Sequence, residues 1–212
     1  VIYERDVNIC HKITTIIIRS NSSDPYTSND PNTLLNQFRN HWNSSQGGVV
    51  RDTAHMFTGR SASQTIGIAY LSVICNRSSA YGISWTTYTS NYQSRVGLTA
   101  HELGHNWGAG HCCGSCSGCN TCNIMCPCIR GCSGNITNFG SSSIAAITSH
   151  RNSRGCLDDG CNGGGTNDPT CADFQAVKLR CKADGTLKPK VVMFTEDFDG
   201  KTVTVTIDGS FD

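Results

Sequence analysis

The sequence predicts a mixed α/β (α+β) fold, and three observations predict it. Strand-patterned and helix-patterned runs alternate through residues 12–107, residues 108–139 have no period and hold most of the cysteines, and β-branched residues alternate with polar ones near the C-terminus. Lys12–Arg19 is a β-branched run suited to a buried strand. Asp30-Pro31 reads as an N-cap followed by proline at the first helical position, and Leu34, Leu35, Phe38 and Trp42 supply the apolar stripe of that helix. Val49–Phe57 and Ile66–Ile74 read as strands. From Arg95 the period changes, with Val96, Ala100, Leu103 and Trp107 at helical spacing and a stop at Gly108. Ser141–Arg151 is expected to be a short polar helix with Ile144 and Ile147 facing inward. In the tail, Val203, Val205 and Ile207 alternate with threonines, and Val191–Thr195 is expected to pair with them across the Asp199-Gly200 turn.

Domain organisation follows from composition. Lys12 is the sole lysine before Lys178, and Gly160–Asp168 is a glycine-rich stretch preceding that change. We expect a domain over residues 1–160, a linker over 161–170 and a small or truncated β segment over 171–212. Lys plus Arg total 17 against 16 Asp plus Glu, a balance that excludes a polybasic nucleic-acid arm and an acidic tail. The longest aliphatic run is Ile16-Ile17-Ile18, far short of the about 20 apolar residues that span a bilayer. Fourteen cysteines point to an oxidising compartment, so the chain is expected to be secreted and extracellular. No signal peptide opens the chain, and a mature secreted chain would have lost one. Sequons at Asn21, Asn43, Asn76 and Asn135 add little weight in a sequence this rich in Asn and Ser.

Negative charge is scarce where chemistry is densest. Between Asp52 and Asp158 the one carboxylate is Glu102, and it lies in His101-Glu102-Leu103-Gly104-His105-Asn106-Trp107-Gly108-Ala109-Gly110-His111. On a helix, residues i and i+4 share a face, so His101 and His105 are able to present their imidazoles to one ion. Gly108 has no Cβ and tolerates a left-handed turn, which would bring His111 back as a third ligand. Three neutral imidazoles plus an open position is the arrangement of a catalytic zinc, whereas structural sites are closed by four protein ligands. His11, His41, His55 and His150 lack ligand spacing.

These residues resemble the signature of the metzincin zinc peptidases, H-E-x-x-H-x-x-G-x-x-H followed by a methionine turn, for which Met125 in Asn123-Ile124-Met125-Cys126-Pro127 is the matching methionine. Within that clan the closest likeness is to the adamalysin, or reprolysin, group, through Arg51–Gly59, Ile66–Tyr70 with Cys75, and Phe139–Leu157. The resemblance implies a twisted, mostly parallel sheet above an active-site helix, with an irregular disulfide-rich subdomain below. It implies a protein or peptide substrate lying antiparallel to an edge strand at Gly67, Ile68, Ala69 and Tyr70, and a disulfide between Cys75 and Cys156. It also implies a structural Ca2+ at Asp52, Cys156 (through its carbonyl) and Asp159. The chain departs from the group in having Cys112 where adamalysins have Asp directly after the third histidine, and in lacking the family's preceding strand and helix, which carry a further calcium ligand.

Cys112, Cys113, Cys116, Cys119, Cys122, Cys126, Cys128 and Cys132 crowd a span of 21 residues. Cys116, Cys119, Cys122 and Cys126-Pro127 match the bacterial ferredoxin run, which makes iron–sulfur electron transfer a rival reading. The second half that would complete two clusters is missing, and the run overlaps the methionine turn. A structural zinc in the loop is a further alternative. Disulfides clamping a segment too poor in apolar residues to pack by burial are the expectation, and eight cysteines allow 105 pairings, so none is assigned. The function expected from these residues is that of a monomeric secreted zinc endopeptidase, hydrolysing peptide bonds through a zinc-activated water with Glu102 as general base. A zinc-bearing binding module without turnover is the non-catalytic alternative, and intact Glu102 argues against it.

Overall fold

The computed structural model describes residues 2–19, 24–60, 64–116, 123–129 and 135–157, together with the backbone of three strands at 174–181, 187–193 and 204–208. The chain divides into two compact units, one of Val1, Ile9–Asp24 and Asp159–Asp212 and the other of Ile2–Asn8 and Pro25–Asp158. Numbered in chain order, the elements are α1 (Ile2–Val7), β1 (Thr15–Arg19), α2 (Pro31–Ser45), β2 (Ala54–Thr58), β3 (Gly67–Ala69), β4 (Tyr81–Trp85), α3 (Tyr92–Asn106), α4 (Ser141–Asn152), β5 (Phe174–Cys181), β6 (Leu187–Met193) and β7 (Thr204–Asp208). Among the described residues no helix is long and apolar enough to cross a membrane.

The larger unit is built on a three-stranded sheet in the order β2-β4-β3, with β4 parallel to β2 and antiparallel to β3. Its two faces differ in side-chain size, because alternate strand residues point to opposite sides. Ala54, Tyr81, Ile83 and Trp85 point to one face and pack with Tyr26, Leu34, Leu35 and Phe38 into the main core. Phe38 of α2 meets Tyr81 edge-on with ring centroids 5.3 Å apart. The opposite face is lined by Gly67, Ala69, Gly82 and Ser84, and α3 packs against both β3 and β4. Small residues there let the helix approach closely.

Helix α2 begins as its sequence requires: the Asp30 carboxylate accepts a hydrogen bond from the Thr33 amide at 2.8 Å, and Pro31 opens the first turn. Strand β2 starts at Ala54, later than Val49, because the Arg51 guanidinium donates to the Gln46 and Val49 carbonyls and holds that stretch as a loop. Strand β3 ends at Ala69, well before Ile74. Ser72 then takes a positive φ of 58°, and the Ser72 and Val73 amides donate to the His105 and Asn106 carbonyls, capping the end of α3. The fully buried strand β4 has no counterpart in the sequence reading. In Tyr81-Gly82-Ile83-Ser84-Trp85 the large residues do alternate, but the small partners hide the pattern of a strand covered on both faces.

Helix α3 starts where the Asn91 side chain accepts from the Ser94 amide at 2.9 Å. Its last residue, Asn106, is fully buried and clamps three segments. The side-chain amide donates to the Tyr70 carbonyl at 2.8 Å and the Tyr81 carbonyl at 3.1 Å, while its oxygen accepts from the Thr53 hydroxyl at 3.0 Å. Helix α1, which the sequence did not announce, docks on the same assembly: the Tyr3 hydroxyl donates to the Ala100 carbonyl at 2.8 Å, and the Asp6 carboxylate accepts from the Phe139 amide at 2.8 Å. In α4, Ile147 is fully buried and Ile144 half-buried, as its pattern implies, with Ser143 and His150 on the inward side as well.

In the smaller unit the expected pairing of Val191–Thr195 with Val203–Ile207 does not occur. β6 pairs antiparallel with β5, from Phe174↔Met193 to Cys181↔Leu187, and β7 pairs parallel with β1, from Thr15↔Thr204 to Arg19↔Asp208. The Asp199-Gly200 turn lies outside the described residues.

Replacing Asn106 with alanine is expected to leave the Tyr70 carbonyl without its donor, while the Tyr81 carbonyl keeps the Tyr70 amide and the Thr53 hydroxyl keeps the Ala80 carbonyl. At about 1–3 kcal/mol for an unsatisfied group, Asn106→Ala should lower the unfolding free energy by about 1–3 kcal/mol. Denaturant titration measures this directly, and an unchanged midpoint would remove the clamp.

Candidate metal centre

His101 and His105 stand one turn apart on α3, and both point to the same side. Just past the end of the helix, Gly108 reverses the chain with a φ of +95°, and the Ala109 amide donates to the Gly104 carbonyl at 2.8 Å. That turn delivers His111 to the other two. The His101 Nε2 atom lies 3.1 Å from both His105 Nε2 and His111 Nε2. All three residues form one group of converging ligand atoms.

The orientation of the rings is set by the main chain. His101 Nδ1 is 2.7 Å from the Ile124 carbonyl, and His105 Nδ1 is 2.7 Å from the Ala109 carbonyl. A carbonyl only accepts, so each Nδ1 carries the proton and each Nε2 turns a lone pair inward. Burial pushes His101 down to about 3, reinforced by the neighbouring His105 and His111 and opposed by the Ile124 carbonyl. Burial also lowers His105 and His111. The imidazoles are therefore neutral at ordinary pH, the state that ligates metal. The donor set fits zinc. Ligand bonds of 2.0–2.1 Å at tetrahedral angles separate the nitrogens by about 3.3 Å, close to the spacing here.

Glu102 is the next residue on the helix, and its carboxyl is buried, with Oε2 making no hydrogen bond. Burial pushes its pKa well above the usual carboxylate range. The side chain lies against β3: a Cβ placed on Gly67 would come within 2.1 Å of Glu102 Oε1. β3 is an outer strand of the sheet, as β2 is, and carries Gly67, Ile68 and Ala69, and the Tyr70 amide just beyond it donates to the Tyr81 carbonyl at 3.1 Å. Met125 is fully buried beneath the helix, where a Cβ on Gly104 would meet its sulfur at 2.6 Å. The Met125 carbonyl accepts from the Cys112 amide at 3.3 Å, tying the residue after His111 to the methionine turn.

Cys75 and Cys156 are bridged. Asp52 stands beside this bridge, and Asp159, the third residue of the calcium set, lies outside the described residues. Cys116 is bridged to Cys128, and Cys112, Cys113 and Cys126 are disulfide-bonded too. Cys116 and Cys126, the first and last cysteines of the ferredoxin-like run, therefore have no free thiolate for iron, and Cys119 and Cys122 lie outside the described residues. His55 is occupied elsewhere with the Ser84 hydroxyl at 2.9 Å, while His41 stacks edge-on with Tyr26 and His150 with Trp107. Sequence reasoning missed the Ile124 and Ala109 carbonyls, for which a sequence carries no signal, and the Asn106 clamp, which sits in plain view inside the histidine motif.

No curated protein matches this sequence. The model of metallo-peptidase family M12B, reprolysin-like, matches residues 1–112, a segment that runs one residue past His111. That segment covers just over half of the 212 residues, and the chain belongs to the reprolysin-like M12B metallopeptidase family.

Proposed function

We propose that this chain is a secreted zinc endopeptidase that hydrolyses internal peptide bonds of protein substrates, acting as a monomer with its catalytic domain in residues 1–160. The family supplies the class of hydrolase and of substrate. The observation that carries the reading is the meeting of three inward-facing Nε2 atoms, two of the rings locked by main-chain carbonyls, beside the only carboxylate between Asp52 and Asp158.

His101, His105 and His111 would hold the ion. Zinc bound there supplies Lewis acidity toward the scissile carbonyl and lowers the pKa of the attacking water. Burial alone raises the Glu102 pKa, and a cation held by the histidines would offset this, so that Glu102 would be ionised to take the proton from the attacking water and return it to the leaving amine. Its burial removes competing solvent from the carboxyl, and its unpartnered Oε2 leaves an acceptor for the proton in transfer. β3, an outer strand, would offer the outward main-chain groups of Gly67 and Ala69 to an extended substrate lying along Gly67–Tyr70, so that cleavage sites are read along a strand. Met125 would floor the site without ligating. Disulfide bonding of Cys10, Cys75, Cys112, Cys113, Cys116, Cys126, Cys128 and Cys156 supports maturation in an oxidising compartment.

Glu102→Gln keeps the shape of the side chain and removes the base. It should lower kcat by about 10²–10⁴-fold, the usual worth of general-base catalysis, with one zinc per chain still bound. Peptide turnover with parallel metal analysis reads both, and full activity would end the assignment of Glu102. His105→Ala should instead lose the zinc itself. Treatment of the native protein with a chelator should abolish cleavage of a peptide library, and stoichiometric zinc should restore the same cleavage pattern. Cleavage unaffected by chelation would overturn the metal-dependent reading.

A further inference from the structure

Gly67 opens β3 in regular register, opposite Ser84 of β4. Its φ lies outside the left-handed region, so the backbone makes no demand for glycine. Space does. A Cβ on Gly67 would meet Glu102 Oε1 at 2.1 Å, Cδ at 2.6 Å and Cγ at 2.8 Å, so the whole end of the glutamate occupies the volume that a side chain would need. The other glycine on this sheet face is milder: a Cβ on Gly82 would stand 3.1 Å from the Ala69 Cβ and the His55 ring. Glu102 is buried, and its Oε2 has no hydrogen-bond partner to fix its direction. Packing against the bare strand is what remains to aim it.

The geometry points to Gly67 as a positioning residue: its missing side chain is the slot that seats the Glu102 carboxylate at the metal centre. This inference rests on Glu102 acting as the base. A methyl group at position 67 is relieved at least cost by rotating the glutamate, whose far end is free to swing, rather than by moving strand or helix. The fold and the three imidazoles stay, and the base is displaced. A displacement on the ångström scale costs catalysis on the order of 10²-fold.

The test is Gly67→Ala, assayed for peptide turnover, zinc content and thermal unfolding. The expected result is kcat lowered by about 10²-fold, with KM within about threefold, one zinc per chain and an unchanged unfolding temperature. A KM effect with kcat intact would mean that Gly67 serves substrate docking alone and would overturn the inference, as would full activity. The coupling has its own signature in Glu102→Asp, which is one methylene shorter and clears the added methyl. Glu102→Asp should cost less in the Gly67→Ala protein than in the native one, whereas strictly additive losses would count against direct contact. If Gly67→Ala fails to fold, Gly67→Ala with Glu102→Ala empties the slot and should recover folding and zinc binding; a double variant that stays unfolded overturns the inference. Native protein that binds no zinc or cleaves nothing would instead defeat the functional reading beneath it, so the two failures are distinguishable.

Discussion

The Nε2 lone pairs of His101 and His105 are directed at each other, where they repel, and the structure around α3 is what holds them together. His101 Nε2 sits 3.1 Å from its counterparts on His105 and His111. The opposing constraint comes from the main chain. The Ile124 carbonyl turns His101 and the Ala109 carbonyl turns His105, each accepting the Nδ1 proton. Both carbonyls lie beyond the helix that carries the two histidines, so the methionine turn and the Gly108 turn must be in place before the ligand set is correct. The site is thus a property of three segments, and not of a helix alone.

The same helix has to lie close to the sheet, and the composition of β3 and β4 reflects this. Large residues fill the face beneath α2, whereas glycine, alanine and serine occupy the face toward α3. A conventional apolar strand there would hold the helix away and carry Glu102 out of reach of the outer strand. Asn106 fixes the end of the helix with three hydrogen bonds in a fully buried position. Its worth is set chiefly by the Tyr70 carbonyl, because the Tyr81 carbonyl also accepts from the Tyr70 amide and the Thr53 hydroxyl also donates to the Ala80 carbonyl.

How much of this was legible in the sequence depended on whether the cause was local. Asp30 with Pro31 announced the start of α2, and the i, i+4 spacing of His101 and His105 with Gly108 and His111 announced the ligand group, because caps, helical faces and positive-φ turns are set by a few adjacent residues. β4 was hidden because its pattern reflects a helix on one face and a core on the other, neither visible locally. α1 is too short to show a period, and its place comes from Tyr3 and Asp6 bonding to residues about a hundred positions away. The tail misled for the opposite reason: the nearest alternating runs invited a hairpin, and the real partners were the distant β1 and the unremarked β5. At the centre itself, the residue types could be read and the carbonyls that orient them could not.

His111 poses a separate problem. His101 and His105 borrow the rigidity of a helix, but the third histidine of the group stands on an exposed, irregular segment. Few apolar side chains lie near it; the local core is Cys126 with Cys112, Cys113 and Cys128 packed around it. Burial of so little area cannot order a loop against the conformational entropy of its backbone, about 1–2 kcal/mol per residue. Crosslinks act on the other side of that balance by restricting the unfolded chain. Cys116–Cys128 ties the segment after His111 to the segment after Met125, and the Cys112 amide bonds to the Met125 carbonyl one residue after His111. The cysteines therefore do for His111 what α3 does for its partners, which explains why they crowd this segment of a chain long enough to build a core without them.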